Sequence, residues 1–238
     1  MKVVKFNSYN EMSIFASRLF LTQLRIKKFP IIALPTGSTP LGMYKELIRN
    51  YEDGKISFNT MITFNLDEYY PINNDDPQSY HHFMENNFFK YIDVDKKRLH
   101  IPNGECSDPI QEAKDYEAKI KQYRGIDLAV LGIGENGHIG FNEPGKLIDE
   151  THLTDLSTST IKANSRFFNN YNDIPRQAIT MGMKTISNAQ KIIILAAGSR
   201  KMPIVDKIIK GELDENCPAT MLCNHPNITL LYTPYEIC

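Results

Sequence analysis

The chain lacks most of what would assign it to a class at once. Its formal net charge is only -1 over 238 residues, so no general electrostatic attraction draws it to nucleic acid or an anionic membrane, and any anion site must be local. It has four cysteines, Cys106, Cys217, Cys223 and Cys238, too few for a disulfide scaffold and without paired spacing for zinc. The gaps within the Cys217, Cys223, His225 group fit no common closed zinc pattern, so the expectation is reduced thiols and no metal. Long apolar runs are absent too. The N-terminal stretch MKVVKFNSYNEMSIFASRLF has no uninterrupted signal-peptide core, and the run at 192–197 is far too short to span a bilayer. A soluble cytoplasmic protein is expected. There is no repeat, low-complexity tract or linker-like composition shift, and 42% hydrophobic residues suit a substantial core, so residues 1–238 are read as one domain.

What is present is an alternation of short β-branched runs with longer helical patterns. Strands are expected at 3–6, 31–34, 61–66, 99–101, 127–131, 178–181, 192–196 and 228–232. Helices are expected to begin near Asn10, Pro40, Tyr80, Pro109, Ile161, Lys201 and Ala219. Asp108 followed by Pro109 has the form of a capped helix with proline in its first turn. This alternation predicts an α/β fold of three layers, a Rossmann-like, mainly parallel sheet with helices on both faces. Ligands of such sheets bind outside the carboxyl ends of the strands, and every motif below falls at such an end.

Residues 31–44, IIALPTGSTPLGMY, carry a buried strand into Thr36, Gly37, Ser38 and Thr39, with Pro40 opening a helix. Glycine lets backbone amides turn toward a ligand, the hydroxyls donate, and the helix directs its positive end the same way, which makes a phosphate cradle. The segment also reads as an ordinary threonine cap before proline. It is not a nucleotide P-loop, because no lysine follows the glycine at the required position. In residues 61–69, MITFNLDEY, Asp67 and Glu68 emerge at a strand end. One of them could act as a general base if burial raises its pKa, or both could be solvated acids beginning a loop. Side-chain alternation argues against both facing one pocket.

Residues 130–145, VLGIGENGHIGFNEPG, concentrate the chemistry: a glycine-rich bend presents Asn136, His138 and Glu143 together. An imidazole, a carboxylate and an amide are what proton transfer to a small substrate requires. Gly132, Gly134 and Gly137 match the spacing of a dinucleotide fingerprint, with Asp149 or Glu150 near ribose range. That reading fails because no helical periodicity follows the last glycine. Two cations complete the set, Arg166 in IKANSRFFNN and Lys201 in LAAGSRKMP. Either also reads as a surface charge, and Arg200 competes with Lys201 for an anion.

Taken together, LPTGSTP, TFNLDEY, PQSYHHFM, GIGENGHIGFNEPG, ANSRFF and GSRK, in this order, resemble the glucosamine-6-phosphate deaminases over most of the chain. FNLDEY and GHIGFNEP are the most specific parts. The related 6-phosphogluconolactonases share the glycine loop without FNEP after it and are the runner-up. The resemblance implies conversion of glucosamine 6-phosphate and water to fructose 6-phosphate and ammonia, with no metal or organic cofactor. It implies that His138, helped by Asn136 and Glu143, opens the sugar ring, and that Asp67 moves the proton from carbon 2 to carbon 1. Thr36, Gly37, Ser38, Thr39, Arg166 and Lys201 match phosphate-binding positions, and Tyr80 an aromatic near the sugar.

One departure is Asn136, where many members have aspartate. An amide can orient the imidazole but cannot stabilise its cation by charge, so Glu143 should carry more of that role. Allosteric members resemble one another in a basic cluster after FNEP and a longer C-terminal tail. Here GKLIDETHLTDL offers Lys146 against Asp149, Glu150 and Asp155, so the resemblance implies the non-allosteric type, a monomer or small oligomer. A sugar-phosphate sensor that has lost the reaction is the alternative from another class. It would need a DNA-binding segment, and no basic helix pair is present.

Overall fold

The computed structural model describes residues 1–145, 147–158, 160–161 and 174–237. Seven strands form one parallel sheet: β1 (Lys2–Lys5), β2 (Ile31–Leu34), β3 (Ile62–Asn65), and, after β4 (Asp67–Tyr70), β5 (Leu99–His100), β6 (Leu128–Gly132), then β9 (Ile192–Ala197) and β10 (Ile228–Thr233). Their spatial order is β1-β10-β9-β6-β2-β3-β5. The remaining strands, β4, β7 (His152–Asp155) and β8 (Gln177–Thr180), form a small antiparallel sheet in the order β4-β8-β7.

Helices are α1 (Tyr9–Ile26), α2 (Leu41–Glu52), α3 (Tyr80–Asn87), α4 (Pro109–Gln122), α5 (Met183–Ser187) and α6 (Met202–Lys210). Alternation along each strand of the main sheet separates two cores. Ile31, Ala33, Phe64, Ala129 and Leu131 pack with Tyr116 and Ile120 of α4, Ile186 of α5 and Val205 of α6. Ile32, Leu34, Leu128 and Val130 face Met12, Ala16 and Phe20 of α1, Met43, Tyr44 and Leu47 of α2, and Met84 of α3. The expected three-layer α/β sandwich is what the chain builds.

Local chemistry sets the helix starts. Ser8, Ser79 and Asp108 each accept backbone N–H bonds as N-caps, and Asp108 receives both Ile110 and Gln111 at 3.0 Å. Pro40 sits at the cap position of α2, one residue before its expected place.

Four expectations change. Asp67 and Glu68 do not open a loop: after Leu66 the chain continues as β4, pairing antiparallel with β8. β8 itself, expected among the parallel strands, belongs to the small sheet, as does β7, which was not expected. The segments DEYY and HLTD are four residues each with little apolar alternation, and their pairing is long-range, so local periodicity does not mark them. The helix expected near Ala219 is a single 3-10 turn, Pro218–Leu222. The helix expected from Ile161 falls almost wholly outside the described residues. Among the described residues, no helix is long and apolar enough to cross a membrane.

The consequence for function lies at one edge. β9, β6, β2 and β3 are contiguous and parallel, so their C-terminal ends lie side by side, and the four motif-bearing turns leave from these ends.

Candidate active site

The turn after β2 is held from beneath by two tyrosines. Tyr9 Oη donates to the carbonyl of Thr39 at 2.9 Å and accepts the N–H of Gly42 at 2.7 Å, while Tyr44 Oη donates to Pro35 O at 2.6 Å. Gly37 has φ +85°, the left-handed region that a Cβ disfavours, and it is exposed together with Ser38. The turn is therefore rigid below and open above. Lys201, at the end of the 3-10 turn Ser199–Lys201 before α6, donates from Nζ to Thr39 Oγ1 at 3.0 Å. Burial lowers its pKa, with Glu135 and Glu236 opposing. Arg200 instead reaches Glu135 at 3.3 Å and is mostly exposed. Of the two competing cations, Lys201 is the one at the hydroxyl turn. Arg166 lies outside the described residues.

Asp67 and Glu68 are both buried, at 5% and 0% exposure, and alternation sends them to different tasks. Glu68 accepts the backbone N–H groups of Tyr69, Tyr80 and His81, each at 2.9 Å. It thereby anchors the first turn of α3 to β4. Burial pushes its pKa up to about 7 against those three donors. Asp67 points to the glycine loop: a Cβ on Gly140 would lie 3.0 Å from both Asp67 Oδ2 and Thr180 Oγ1. Burial, followed by the negative charge of Glu68, pushes the Asp67 carboxyl up to about 8. A strand-held carboxyl with little solvent and a raised pKa is suited to removing a carbon-bound proton. Tyr80 packs beside Tyr69 of β4, ring centroids 4.9 Å apart, and its pKa is raised by burial first, then by Tyr69 and the charge of Asp67.

The loop after β6 folds back on itself. Gly134 N–H donates to His138 O at 3.0 Å, and the imidazole lies against the bare Cα of Gly134. Asn136 Oδ1 accepts the backbone N–H of His138 at 3.1 Å and lies 2.6 Å from its Nδ1, while Asn136 Nδ2 donates to Glu143 Oε2 at 2.9 Å. These contacts fix the amide orientation and with it the tautomer. Oδ1 only accepts, so Nδ1 carries the proton and Nε2 is left as the acceptor. His138 is kept neutral by burial, which lowers its pKa, with Glu143 opposing and Lys201 reinforcing.

Glu143 Oε2 lies 3.9 Å from His138 Nδ1. Its Oε1 receives the hydroxyls of Ser157, at 3.1 Å, and Thr160. Burial pushes the Glu143 pKa up, but the hydroxyl of Thr160, the charge of His138 when that ring is protonated, and Asn136 and Ser157 outweigh it and leave the carboxyl below its usual range. An aspartate at 136 would set a second anion against Glu143; the amide avoids that repulsion. Asn142 ties the loop down, donating from Nδ2 to Ile139 O at 3.0 Å and Met181 O at 2.8 Å.

Asp67, Asn136, His138, Glu143, Tyr80, Thr36, Gly37, Ser38, Thr39 and Lys201 thus line one strand edge. Sequence reasoning missed Ser157, Thr160, Thr180 and Asn142. The hydroxyl-rich run LSTST was the only local signal for the first two. Among the described residues no group of three or more histidines, cysteines or acids could hold a metal ion. His225 lies 2.8 Å from Ala189 O through Nε2, and its Nδ1 accepts Asn227 N–H at 3.2 Å.

A family model described as glucosamine-6-phosphate isomerases/6-phosphogluconolactonase matches residues 21–231. A glucosamine-6-phosphate deaminase of Clostridium novyi is 49% identical over 97% of this chain and 96% of its own length. One of Thermoanaerobacter pseudethanolicus is 48% identical over 97% and 92%. The solved structure of a monomeric glucosamine-6-phosphate deaminase superposes with TM-score 0.95 at 39% identity, over 98% of this chain and 97% of that one. A 6-phosphogluconolactonase from Thermotoga maritima superposes with TM-score 0.76 at 20% identity over 98% of each chain, a likeness of fold alone. The chain belongs to the glucosamine-6-phosphate isomerase/6-phosphogluconolactonase family, on its glucosamine-6-phosphate deaminase branch.

Proposed function

We propose that the protein is a hydrolase of amino-sugar catabolism that converts glucosamine 6-phosphate and water to fructose 6-phosphate and ammonia. The observation that carries this reading is the meeting, around Gly140, of a buried carboxyl on β4 with the loop that bears a neutral histidine and an ionised glutamate. A lactonase needs to activate water at one carbonyl. It has no use for a desolvated base raised toward pH 8 and poised for a carbon acid.

In this scheme Nε2 of His138 moves the proton between the anomeric hydroxyl and the ring oxygen. Glu143 stabilises the transient imidazolium, and Asn136 holds the ring. Asp67 then takes the proton from carbon 2 and returns it to carbon 1 through an enolamine. The resulting iminium at carbon 2 adds water and expels ammonia. Thr36, Gly37, Ser38, Thr39, Lys201 and Arg166 bind the phosphate, whose remote binding energy orients the reacting carbons, and Tyr80 flanks the sugar. Every step is a proton transfer, an addition or an elimination, so acids and bases suffice.

The test is incubation with glucosamine 6-phosphate. Ammonia and fructose 6-phosphate should appear in equal amounts and continue to appear after exhaustive chelation. Hydrolysis of 6-phosphogluconolactone without ammonia release from the amino sugar would overturn the reading, and loss of activity to EDTA restored by a divalent ion would overturn the metal-free scheme. Lys201→Ala should raise KM for the sugar phosphate on the order of 10–100-fold, the cost of removing a charge-assisted contact. Unphosphorylated glucosamine should be a very poor substrate of the native protein. Unchanged affinity for inorganic phosphate in the variant would remove Lys201 from the site.

We further propose a cytoplasmic monomer or small oligomer with hyperbolic kinetics. Lys146 lies outside the described residues. Asp149 lies 3.5 Å from Lys184 and Glu150 2.5 Å from Lys121, so these lysines are already engaged by carboxylates. N-acetylglucosamine 6-phosphate should therefore not activate. Sigmoidal rate curves that this compound makes hyperbolic would contradict the proposal.

A further inference from the structure

Ser157 and Thr160 follow β7 and take no part in the scheme above, yet both converge on one atom. Thr160 Oγ1 donates to Glu143 Oε1, and Ser157 Oγ lies 3.1 Å from the same oxygen and 2.9 Å from Thr160 Oγ1. A hydroxyl has one proton. Among the described residues, the Ser157 hydroxyl has two acceptors within reach and divides its proton between them, while Thr160 directs its own to the carboxylate. Ser157 also accepts the Thr160 N–H at 3.1 Å, which fixes the backbone that presents the threonine. Thr160 is 8% exposed and Asn142, Phe141 and Ile139 around the loop are buried as well, so water cannot readily replace a lost donor.

The other oxygen of Glu143 is the one that works. Oε2 receives Asn136 Nδ2 and faces His138 Nδ1. A carboxylate on a flexible side chain would otherwise turn about its terminal torsion, which is broad and roughly two-fold.

We infer that Thr160, backed by Ser157, is a positioning residue of the ring-opening relay: its hydroxyl pins Oε1 of Glu143 so that Oε2 stays against Asn136 and His138. The inference rests on the deaminase reading for its kinetic consequence and on geometry alone for its structural one. The same bond favours the ionised form of Glu143, which a neutral imidazole needs beside it when it takes a proton.

The experiment compares Thr160→Val, which keeps the shape and removes the hydroxyl, with Thr160→Ser, which keeps the hydroxyl, in the native and Glu143→Gln backgrounds. In the native background Thr160→Val should lower kcat about 10–100-fold with KM within about threefold, the scale of a small misplacement in a catalytic group. Thr160→Ser should stay within about threefold of native. In the Glu143→Gln background, Thr160→Val should cost less than about twofold more, because the group it positions is already neutral. Full activity of Thr160→Val, failure of serine to rescue, or an equal loss in both backgrounds would overturn the inference.

A carbon-13 titration of the Glu143 carboxyl needs no substrate and separates the two claims. An upward move of its midpoint by a unit or more in Thr160→Val supports the clamp, whatever the substrate proves to be, and an unchanged midpoint overturns it. If ammonia release is absent from the native protein, the functional reading fails while this titration still decides the role of Thr160.

Discussion

Asp67→Asn is expected to lower turnover by about two to four orders of magnitude, the usual cost of removing a general base, with KM nearly unchanged. The amide preserves the shape beside Gly140 and leaves the hydroxyl turn after β2 untouched, but it cannot accept the carbon 2 proton. Exchange of that proton with deuterium oxide should stop in the variant. Exchange at the native rate would transfer the role to another group, with Glu68 the nearest carboxyl.

The native pH dependence follows from the same burial. As the proposed base, Asp67 works only when ionised, so kcat/KM should rise with pH through an apparent value near 8. Because Asp67 and Glu68 influence each other, that value belongs to the pair. In kcat the limb should lie lower, since the substrate's own ammonium then stands beside the carboxylate.

Stability runs the opposite way. Asp67 has a folded pKa raised above its unfolded value, so the unfolded chain releases the proton first. Its contribution is intact below about pH 4 and is lost as pH rises through about 8. Asp67→Asn should therefore melt higher than the native protein at pH 8, with the gap closing toward pH 4. A variant less stable than native at pH 8 would show that the carboxylate is not held against its preference.

Much of this was legible in the residues, for definable reasons. The hydroxyl turn, the glycine bend and Lys201 stand at the ends of β2, β6 and β9, whose apolar runs are unbroken, and a parallel sheet aligns such ends at one edge. Asp67 was readable as a candidate. Its burial was not, because that depends on β4 pairing with β8, more than 100 positions downstream. Glu68 was legible only as a neighbouring acid; the N–H groups of Tyr80 and His81 in α3, with that of Tyr69 in β4, make it a structural anchor. The choice between Arg200 and Lys201 was settled by the 3-10 turn, which rotates one toward Glu135 and the other toward Thr39. Ser157 and Thr160 bear on Glu143 only after β7 has joined the small sheet, so no spacing rule could have linked them.

The glycine spacing that imitates a dinucleotide fingerprint supplies the second large effect, because its three members do different work. Gly132 ends β6, and a Cβ there would meet nothing within 4 Å. Gly137 has φ +85°, and a Cβ would press on Cys217 Sγ at 2.4 Å, so a substitution there confounds backbone strain with packing. Gly134 is the informative one. It has no left-handed φ, yet a Cβ would fall 2.1 to 2.4 Å from three atoms of the His138 ring. The cheapest relief is a swing of the imidazole, which would break its 2.6 Å contact with Asn136 Oδ1 and, in the proposed scheme, turn Nε2 from the sugar's ring oxygen. Gly134→Ala should therefore reduce kcat on the order of 100-fold, as a displacement near 1 Å can do, while inorganic phosphate binds as tightly as before. Gly132→Ala, two residues earlier at the end of β6, should remain within about threefold of native. Equal losses in the two variants would mean that the glycines serve the bend in general; a loss confined to Gly134 shows that the glycine is there to seat the His138 imidazole.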